Sequence, residues 1–208
     1  MLFIVYVPDA YIYIYYMIKK NRLILLCGAN QSGKTYTIIN KIIPKNTLKR
    51  TVIVNCSCEK DYTIFTKIKH IQDAKKYKNG EILYYNIEKK ELINKQVIEI
   101  ARAVFSELIQ LTNTLIILDD VRVISNANTA NLFKTLCVSY AQNNNNIVIV
   151  YHSVNDIQND IVPHATHLLI FKTSDVLRKE LPKQDEISEK MEKVNKKNEQ
   201  GFFEIVKF

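Results

Sequence analysis

Glycine and proline are scarce in this sequence, with four residues of each among 208. That scarcity excludes a long flexible linker, and no internal repeat is visible. A chain of this length amounts to one domain of ordinary size, or to one domain with a small appendage. Hydrophobic residues make up 47% of the chain and charged residues 24%, which is too apolar a composition for general disorder. We therefore expect a single packed domain over residues 1–208.

Cysteine is equally scarce, and its four residues form no C-x-x-C pair: Cys27, Cys56, Cys58 and Cys137. This spacing supports neither a disulfide scaffold nor a zinc site. A secretory signal also fits poorly, because the start lacks a basic region and no A-x-A-like cleavage site follows. We expect reduced thiols in a cytoplasmic protein.

The apolar amino terminus, MLFIVYVPDAYIYIYYMI, is about long enough to span a bilayer and is followed by two lysines. Pro8 and Asp9 interrupt it, however, and residues 11–14 alternate tyrosine with isoleucine, as strands do. We predict that residues 1–20 form strands packed on the domain. Membrane association is the alternative.

Short apolar runs alternate with longer amphipathic segments between Arg22 and Thr173. The apolar runs are Leu23–Cys27, Thr51–Asn55, Ile82–Tyr85, Leu115–Leu118, Ile147–Tyr151 and Leu168–Phe171. Such β-branched and aliphatic runs are typical of parallel strands buried on both faces. Helical spacing covers Lys34–Ile43, Lys90–Leu111 and Asn131–Gln142. The alternation predicts a three-layer α/β fold with a mostly parallel central sheet over residues 22–175.

The composition changes after Asp175. Residues 176–200 are dominated by Lys, Glu, Asp and Asn, and we interpret them as a solvated helix or a partly mobile tail. The last apolar run, Phe202–Val206, predicts one more strand at a sheet edge. Residues 176–208 thus form a charged carboxyl-terminal extension of the core.

One segment matches the phosphate-binding pattern G-x-x-x-x-G-K-[ST], directly after the first predicted strand and directly before a predicted helix. The matching residues are Gly28, Ala29, Asn30, Gln31, Ser32, Gly33, Lys34 and Thr35. In such a loop successive backbone N–H groups wrap a phosphate, and only residues without a bulky side chain permit the close approach. Lys34 would reach the β- and γ-phosphates, and the Thr35 hydroxyl would ligate Mg²⁺. The loop predicts a site for ATP and Mg²⁺.

Two acidic residues, Asp119 and Asp120, follow the apolar run Leu115–Leu118. A phosphate-binding loop requires a carboxylate at the end of a neighbouring strand to hold the Mg²⁺ ion and its water. We assign that role to Asp119. Asp120 then stands where a general base would polarise the attacking water. Glu59 is a poorer alternative for the base.

His152 follows the strand run Ile147–Tyr151. The carboxyl ends of parallel strands face the nucleotide crevice, so a polar side chain at this place can sense the γ-phosphate. His152 is our candidate for that sensor. The alternative is a histidine that caps or stabilises a turn.

These motifs together resemble the HerA/FtsK superfamily of DNA-pumping ATPases, in particular the compact genome-packaging ATPases of membrane-containing and related viruses. The segment VIVYHSVNDI, residues 148–157, resembles the sensor strand of that superfamily and the turn after it. The resemblance covers residues 22–180 and implies a RecA-like P-loop NTPase core. Two residues depart from the pattern: His152 stands where Gln is common, and Asp120 where Glu is more usual.

The resemblance implies an ATP-hydrolysing motor that translocates double-stranded DNA into a capsid and works as a homo-oligomeric ring. In such rings an arginine of one subunit reaches the nucleotide of the next. Arg178 matches the region of that finger, and Arg122 is the rival. Capsid vertex proteins become implied partners, the host cytoplasm or the virion the implied location, and contact of the amino terminus with lipid stays open. The formal charge of +8 agrees with a polyanionic partner but is weak support by itself.

Two other functions share the same loop. A small-molecule kinase of the nucleoside type would need a specificity pocket and usually an arginine-rich lid, and the stretch after residue 122 has only one arginine, Arg178. A slow, nucleotide-dependent switch or assembly protein is the third reading. DNA-stimulated ATP turnover distinguishes the three.

Overall fold

The computed structural model describes residues 21–56, 61–77, 79–87, 97–177, 180–197 and 201–208. Eight strands form within these ranges: β1 (Leu23–Cys27), β2 (Arg50–Asn55), β3 (Thr66–Lys67), β4 (Ile82–Asn86), β5 (Thr114–Asp119), β6 (Asn146–Tyr151), β7 (His167–Phe171) and β8 (Phe203–Lys207). Four α-helices accompany them: α1 (Lys34–Thr37), α2 (Val97–Ile109), α3 (Ala130–Ser139) and α4 (Gln184–Lys196).

All eight strands belong to one sheet, in the order β3-β4-β2-β5-β6-β1-β7-β8. Every pairing is parallel except that of β7 with the edge strand β8. Every residue of β1, β2, β5 and β6 is buried, as continuous apolar runs predict for central parallel strands. The register pairs Cys27 with Tyr151, and Val150 with Asp119. The carboxyl ends of β1, β6 and β5 therefore meet at one edge of the sheet.

The helical segment that begins with α1 changes its geometry along its length. Its α-helical turn is followed by a π-helical stretch, Ile38–Ile42, and by a short 3₁₀ turn, Ile43–Lys45. Pro44 lacks the N–H needed to continue a helical ladder, and the chain is extended at Asn46. The predicted helix Lys34–Ile43 is thus helical throughout, although most of it is not α-helical.

Alternate residues of each strand feed two separate hydrophobic clusters, one on each face of the sheet. On one face, Ile24 and Leu26 of β1 pack with Ile38 and Ile42 of the segment after α1. On the other face, side chains of the same strands pack with α2, α3 and α4. The chain therefore has the three layers that the sequence predicts.

All six predicted core strands are present, and their ends differ from prediction by one residue at most. The final strand is also present, as β8 on the sheet edge, and α4 lies within the charged extension. Helix α3 ends at Ser139, three residues earlier than predicted. The predicted helix 90–111 is observed from Val97 onward. The strands predicted for residues 1–20 lie outside the described residues, as do residues 88–96.

Cys27 and Cys137 are buried free thiols, and burial raises the pKa of both. Across the described ranges, the helices are too short or too polar to cross a membrane.

Candidate functional site

The phosphate-binding loop connects β1 to α1, and its two glycines meet different structural demands. Gly28 has a φ of +154°, and a Cβ added there would lie 2.7 Å from the Cβ of Phe171. No side chain fits at that distance. Gly33, immediately before α1, adopts φ +97° and ψ 12°, a left-handed conformation that glycine reaches without strain.

Backbone hydrogen bonds link the loop to the strand beside it and to the helix after it. The Ala29 N–H donates to the carbonyl of Lys172, just after β7, at 2.9 Å, and the Thr37 N–H donates to the carbonyl of Gly33 at 2.9 Å. Gln31 adopts a left-handed φ of +59°. Asn30 and Gln31 are exposed at the tip of the loop.

Lys34 reaches back over the loop that precedes it. Its ammonium donates to the carbonyls of Gly28 at 2.7 Å and Ala29 at 2.8 Å, and the residue is only 6% exposed. A buried ammonium must be paired, and here the loop supplies partners. The charge of Lys34 is thereby held at the centre of the loop.

Nucleotide phosphates and Mg²⁺ fit the side chains at this end of the sheet. The Ser32 hydroxyl is buried and has no hydrogen-bond partner within the described part of the chain, which is costly unless a ligand supplies one. The half-buried Thr35 stands in the first turn of α1. A hydroxyl here and the buried carboxylate of Asp119 are ligands that Mg²⁺ prefers.

Asp119 is the last residue of β5 and is 5% exposed. The hydroxyl of the fully buried Tyr62 donates to its Oδ2 at 2.8 Å. Tyr62 lies in a 3₁₀ turn, Asp61–Ile64, between β2 and β3. Sequence reasoning missed this residue, because nothing in the local pattern marks a tyrosine that reaches another strand.

Asp120 occupies a different environment from its neighbour in sequence. Its backbone is left-handed, with φ 55° and ψ 52°, a conformation that aspartate tolerates better than most residues. Arg122 Nε donates to its Oδ1 at 2.9 Å, and His152 Nε2 lies 3.4 Å from its Oδ2. Burial by itself would raise the pKa of Asp120. The hydrogen bonds and charges of His152 and Arg122 outweigh burial and hold this pKa below its ordinary value.

Arg122 also joins two loops that follow different strands. Its Nη1 donates to Asp156 Oδ2 at 3.0 Å, so it bridges the turn after β5 and the turn after β6. Burial opposes the charge of Arg122, but Asp120 and Asp156 raise the pKa of its guanidinium. An Arg122 that served a neighbouring subunit would first have to release both carboxylates.

The row of polar side chains at the carboxyl end of the sheet continues beyond the residues predicted from sequence. Asn55 ends β2 and Asn86 ends β4; they are paired in register, and the Asn55 amide donates to Asn86 Oδ1 at 2.9 Å. Asn55 is also in register with Asp119. Asn55 closes a predicted strand and Asn86 directly follows one, but without the strand order their proximity to the acids could not be inferred.

The structure therefore brings Asp119, Asp120 and His152 to the edge at which the phosphate-binding loop lies. Arg122 lies with them, because it contacts Asp120 of its own chain. The remaining two candidates, Arg178 and Glu59, lie outside the described residues.

Several solved structures with the same architecture are of viral proteins. The genome-packaging NTPase B204 from Sulfolobus turreted icosahedral virus 2, in complex with AMPPCP, superposes with a TM-score of 0.61 at 18% identity, covering 90% of this chain and 92% of that chain. Its complex with sulfate gives a TM-score of 0.64 at 16% identity, with 90% and 91% coverage. B204, the DNA-packaging ATPase from Sulfolobus turreted icosahedral virus, gives 0.60 at 16% identity, with 90% and 92% coverage.

The chain has the fold of a viral genome-packaging NTPase. At this level of identity the likeness establishes the fold, and it confirms both the three-layer P-loop architecture and the resemblance noted from sequence. No protein-family model matches the chain, and no curated protein matches it in sequence.

Proposed function

We propose that this chain is a P-loop ATPase that uses ATP hydrolysis to move double-stranded DNA into a viral capsid. The observation that carries the proposal is the shared carboxyl end of the sheet, where the loop Gly28–Thr35 follows β1 and the acids Asp119 and Asp120 lie at the end of β5, with β6 between these two strands. The fold supports it, because it is the fold of a genome-packaging NTPase solved with the ATP analogue AMPPCP.

The loop binds and orients the phosphates through its backbone N–H groups, at the start of a helical segment. Thr35 and Asp119 would hold Mg²⁺, which neutralises charge on the phosphate oxygens. Lys34 contributes a second positive charge from within the loop. Tyr62 holds the Asp119 carboxylate in one orientation through its 2.8 Å hydrogen bond.

Asp120 and His152 act at the far end of the phosphate chain. Asp120 is ionised at neutral pH, since its pKa lies below the ordinary value, so it can accept a hydrogen bond and then a proton from water. Arg122 and His152 fix the orientation of its carboxylate. His152 follows β6, the strand that lies between β5 and β1, and can contact the γ-phosphate.

The proposed DNA partner is supported by the charge of the chain and by its likeness in fold to B204, a DNA-packaging ATPase. Lys and Arg exceed Asp and Glu by eight charges, which favours contact with phosphates independent of base sequence. We further propose a homo-oligomeric ring in which Arg178 completes the site of the neighbouring subunit. Capsid vertex proteins would be the partners of that ring.

Steady-state ATP turnover with increasing duplex DNA tests the proposal. We expect DNA to stimulate phosphate release, and we expect Lys34→Ala to reduce it by about 100-fold or more, since the variant lacks the ammonium in the loop. A nucleoside added in place of DNA is the matched control. Phosphate transfer to the nucleoside would show a kinase instead, and undiminished turnover in Lys34→Ala would remove the loop from the mechanism.

A further inference from the structure

The order of the strands in the sheet predicts how a bound nucleotide is oriented across the loop. Asp119, Asp120 and His152 end β5 and β6, which lie on one side of β1, whereas β7 and β8 lie on the other side. If the γ-phosphate faces the acids, as the proposed function requires, the nucleoside end points toward β7 and β8. An aromatic side chain stands on that side of the loop.

We propose that the aromatic ring of Tyr36 is a stacking platform for the base of the nucleotide. This inference rests on the proposed nucleotide site and adds a subsite for its base. Tyr36 directly follows Thr35, so it lies one residue beyond the end of the phosphate-binding loop. The platform would recognise a planar heteroaromatic ring attached to a phosphate chain.

The ring of Tyr36 is open to solvent while the next residues of the same segment are buried. Tyr36 is 55% exposed, and Ile38 and Ile42 are fully buried against the sheet. Among the exposed large hydrophobic side chains in the described ranges, Tyr36 is the aromatic one; the others are Ile64, Val138 and Val176. Its carbonyl accepts a hydrogen bond from the Asn40 amide at 3.0 Å, which holds the backbone beneath the ring.

The turn before β8 gives the platform a neighbouring wall. The Gly201 N–H donates to the carbonyl of Ser32 at 3.2 Å, so this turn contacts the loop directly. A Cβ on Gly201 would lie 3.6 Å from Cδ1 of Tyr36, and the φ of +80° at Gly201 disfavours any side chain there. The phenol ring and the bare backbone of Gly201 are therefore adjacent.

Packing of β8 keeps that wall in place. Phe171 and Phe203 are paired in register, and their ring centroids lie 5.2 Å apart. Phe171 also limits the space at Gly28. The loop and the turn at Gly201 are thus held by the same pair of strands.

Stacking of the base on Tyr36 predicts two measurable properties of ligand binding. Removing an aromatic platform weakens base binding by about 5- to 100-fold, and because every base has a π-face, stacking tolerates different bases. We expect substitutions of Tyr36 to change the affinities for ATP and GTP by similar factors. Inorganic tripolyphosphate has no base and should not respond.

Titration calorimetry of three proteins, with Mg-ATP and Mg-tripolyphosphate as ligands, tests this directly. Tyr36→Ala should bind Mg-ATP about 5- to 100-fold more weakly than wild type, whereas Tyr36→Phe keeps the ring and should bind it within about threefold of wild type. All three proteins should bind Mg-tripolyphosphate equally. Wild-type affinity of Tyr36→Ala for Mg-ATP, or an equal loss for both ligands, would overturn the platform.

A fluorescent variant supplies a second readout. The chain has no tryptophan, so Tyr36→Trp creates a single reporter at the proposed platform. Its emission should change with Mg-ATP and much less with Mg-tripolyphosphate. Val138→Trp, at a position that is 46% exposed on α3, which packs on the other face of the sheet, is the matched control and should respond to neither.

The outcomes separate the two proposals. If wild type binds Mg-ATP and Tyr36→Trp does not respond to it, the platform is wrong and the proposed function stands. If wild type binds neither Mg-ATP nor Mg-tripolyphosphate, the proposed function is wrong and the platform falls with it.

Discussion

Asp119 and Asp120 are adjacent in sequence, but the structure gives them different partners. Asp119 accepts a hydrogen bond from a buried tyrosine, whereas Asp120 contacts Arg122 and His152. A neutral hydroxyl donor orients a carboxylate without neutralising its negative charge. Two basic partners instead hold the carboxylate ionised. This difference at the residue scale supports the division of roles between metal binding and proton transfer.

That division predicts different defects for the two acids. Asp119→Ala should weaken Mg²⁺-dependent nucleotide binding. Asp120→Asn should leave binding nearly intact and lower kcat by about 10²- to 10⁴-fold, because an amide keeps the shape but cannot accept a proton. Nucleotide dissociation constants with and without Mg²⁺, together with single-turnover rates, distinguish the two effects. Equal losses of binding in both variants would contradict the assignment.

Asp120 also makes stability depend on pH. Its pKa in the folded protein is lowered, since His152 and Arg122 outweigh the opposing effect of burial. An aspartate carboxyl group in an unfolded chain titrates at about pH 3.9. The stabilisation is therefore complete above about pH 4 and is lost as the pH falls through the lower, folded-state pKa. In urea unfolding, Asp120→Asn should lose less stability than wild type below about pH 4, and an identical acid dependence would show that these contacts are not stabilising.

Much of the site was predictable at the residue scale, but its connections were not. The loop and the two acids follow from a strict pattern and from where strands end. The bridge from Asp120 through Arg122 to Asp156 joins two loops more than thirty residues apart. The Tyr62 contact likewise joins the turn after β2 to the end of β5. Such contacts depend on the strand order and on side-chain orientation, which local spacing does not encode.

At the scale of elements, the polar loop before β6 holds neighbouring elements together, which its composition alone does not indicate. Asn145 is 1% exposed, accepts from the Thr114 N–H at 2.9 Å and donates to the Leu111 carbonyl at 2.8 Å. Asn143 donates to the Ile109 carbonyl at 2.8 Å. These bonds tie the loop before β6 to the end of α2 and the start of β5.

Asn145→Ala should therefore destabilise the fold. It leaves a buried N–H and a buried carbonyl without partners, which we expect to lower the free energy of unfolding by about 2–4 kcal/mol. Urea denaturation with circular dichroism measures this change. Asn128→Ala, at an exposed position, is the matched control and should cost less than about 0.5 kcal/mol. Similar effects for both variants would remove the structural role of Asn145.

The strands were more predictable than the segments between them. Continuous apolar runs mark buried parallel strands, and each of the six is observed. The two-residue strand β3 has both residues exposed, so no apolar run could mark it. The π-helical stretch Ile38–Ile42 has the same buried stripe as an α-helix, so its geometry does not follow from spacing alone.

At the scale of the whole molecule, we propose a ring in which Arg178 serves the neighbouring site. Arg122 is bound to two carboxylates of its own chain, which leaves Arg178 as the candidate to test. Arg178→Ala and Lys34→Ala should each be inactive alone. Mixed together, they should recover part of the ATP turnover, because a hybrid interface can pair an intact loop with an intact arginine. Full activity of Arg178→Ala by itself would exclude this residue as the finger.

We propose that ATP hydrolysis at the loop Gly28–Thr35 moves the protein along double-stranded DNA. Displacement of a third strand from a triplex at the end of a duplex measures that movement directly. We predict displacement by wild type that requires ATP, is delayed as the duplex before the triplex lengthens, and disappears in Lys34→Ala. ATP hydrolysis without any displacement, or displacement that persists in Lys34→Ala, would contradict DNA movement driven by this loop.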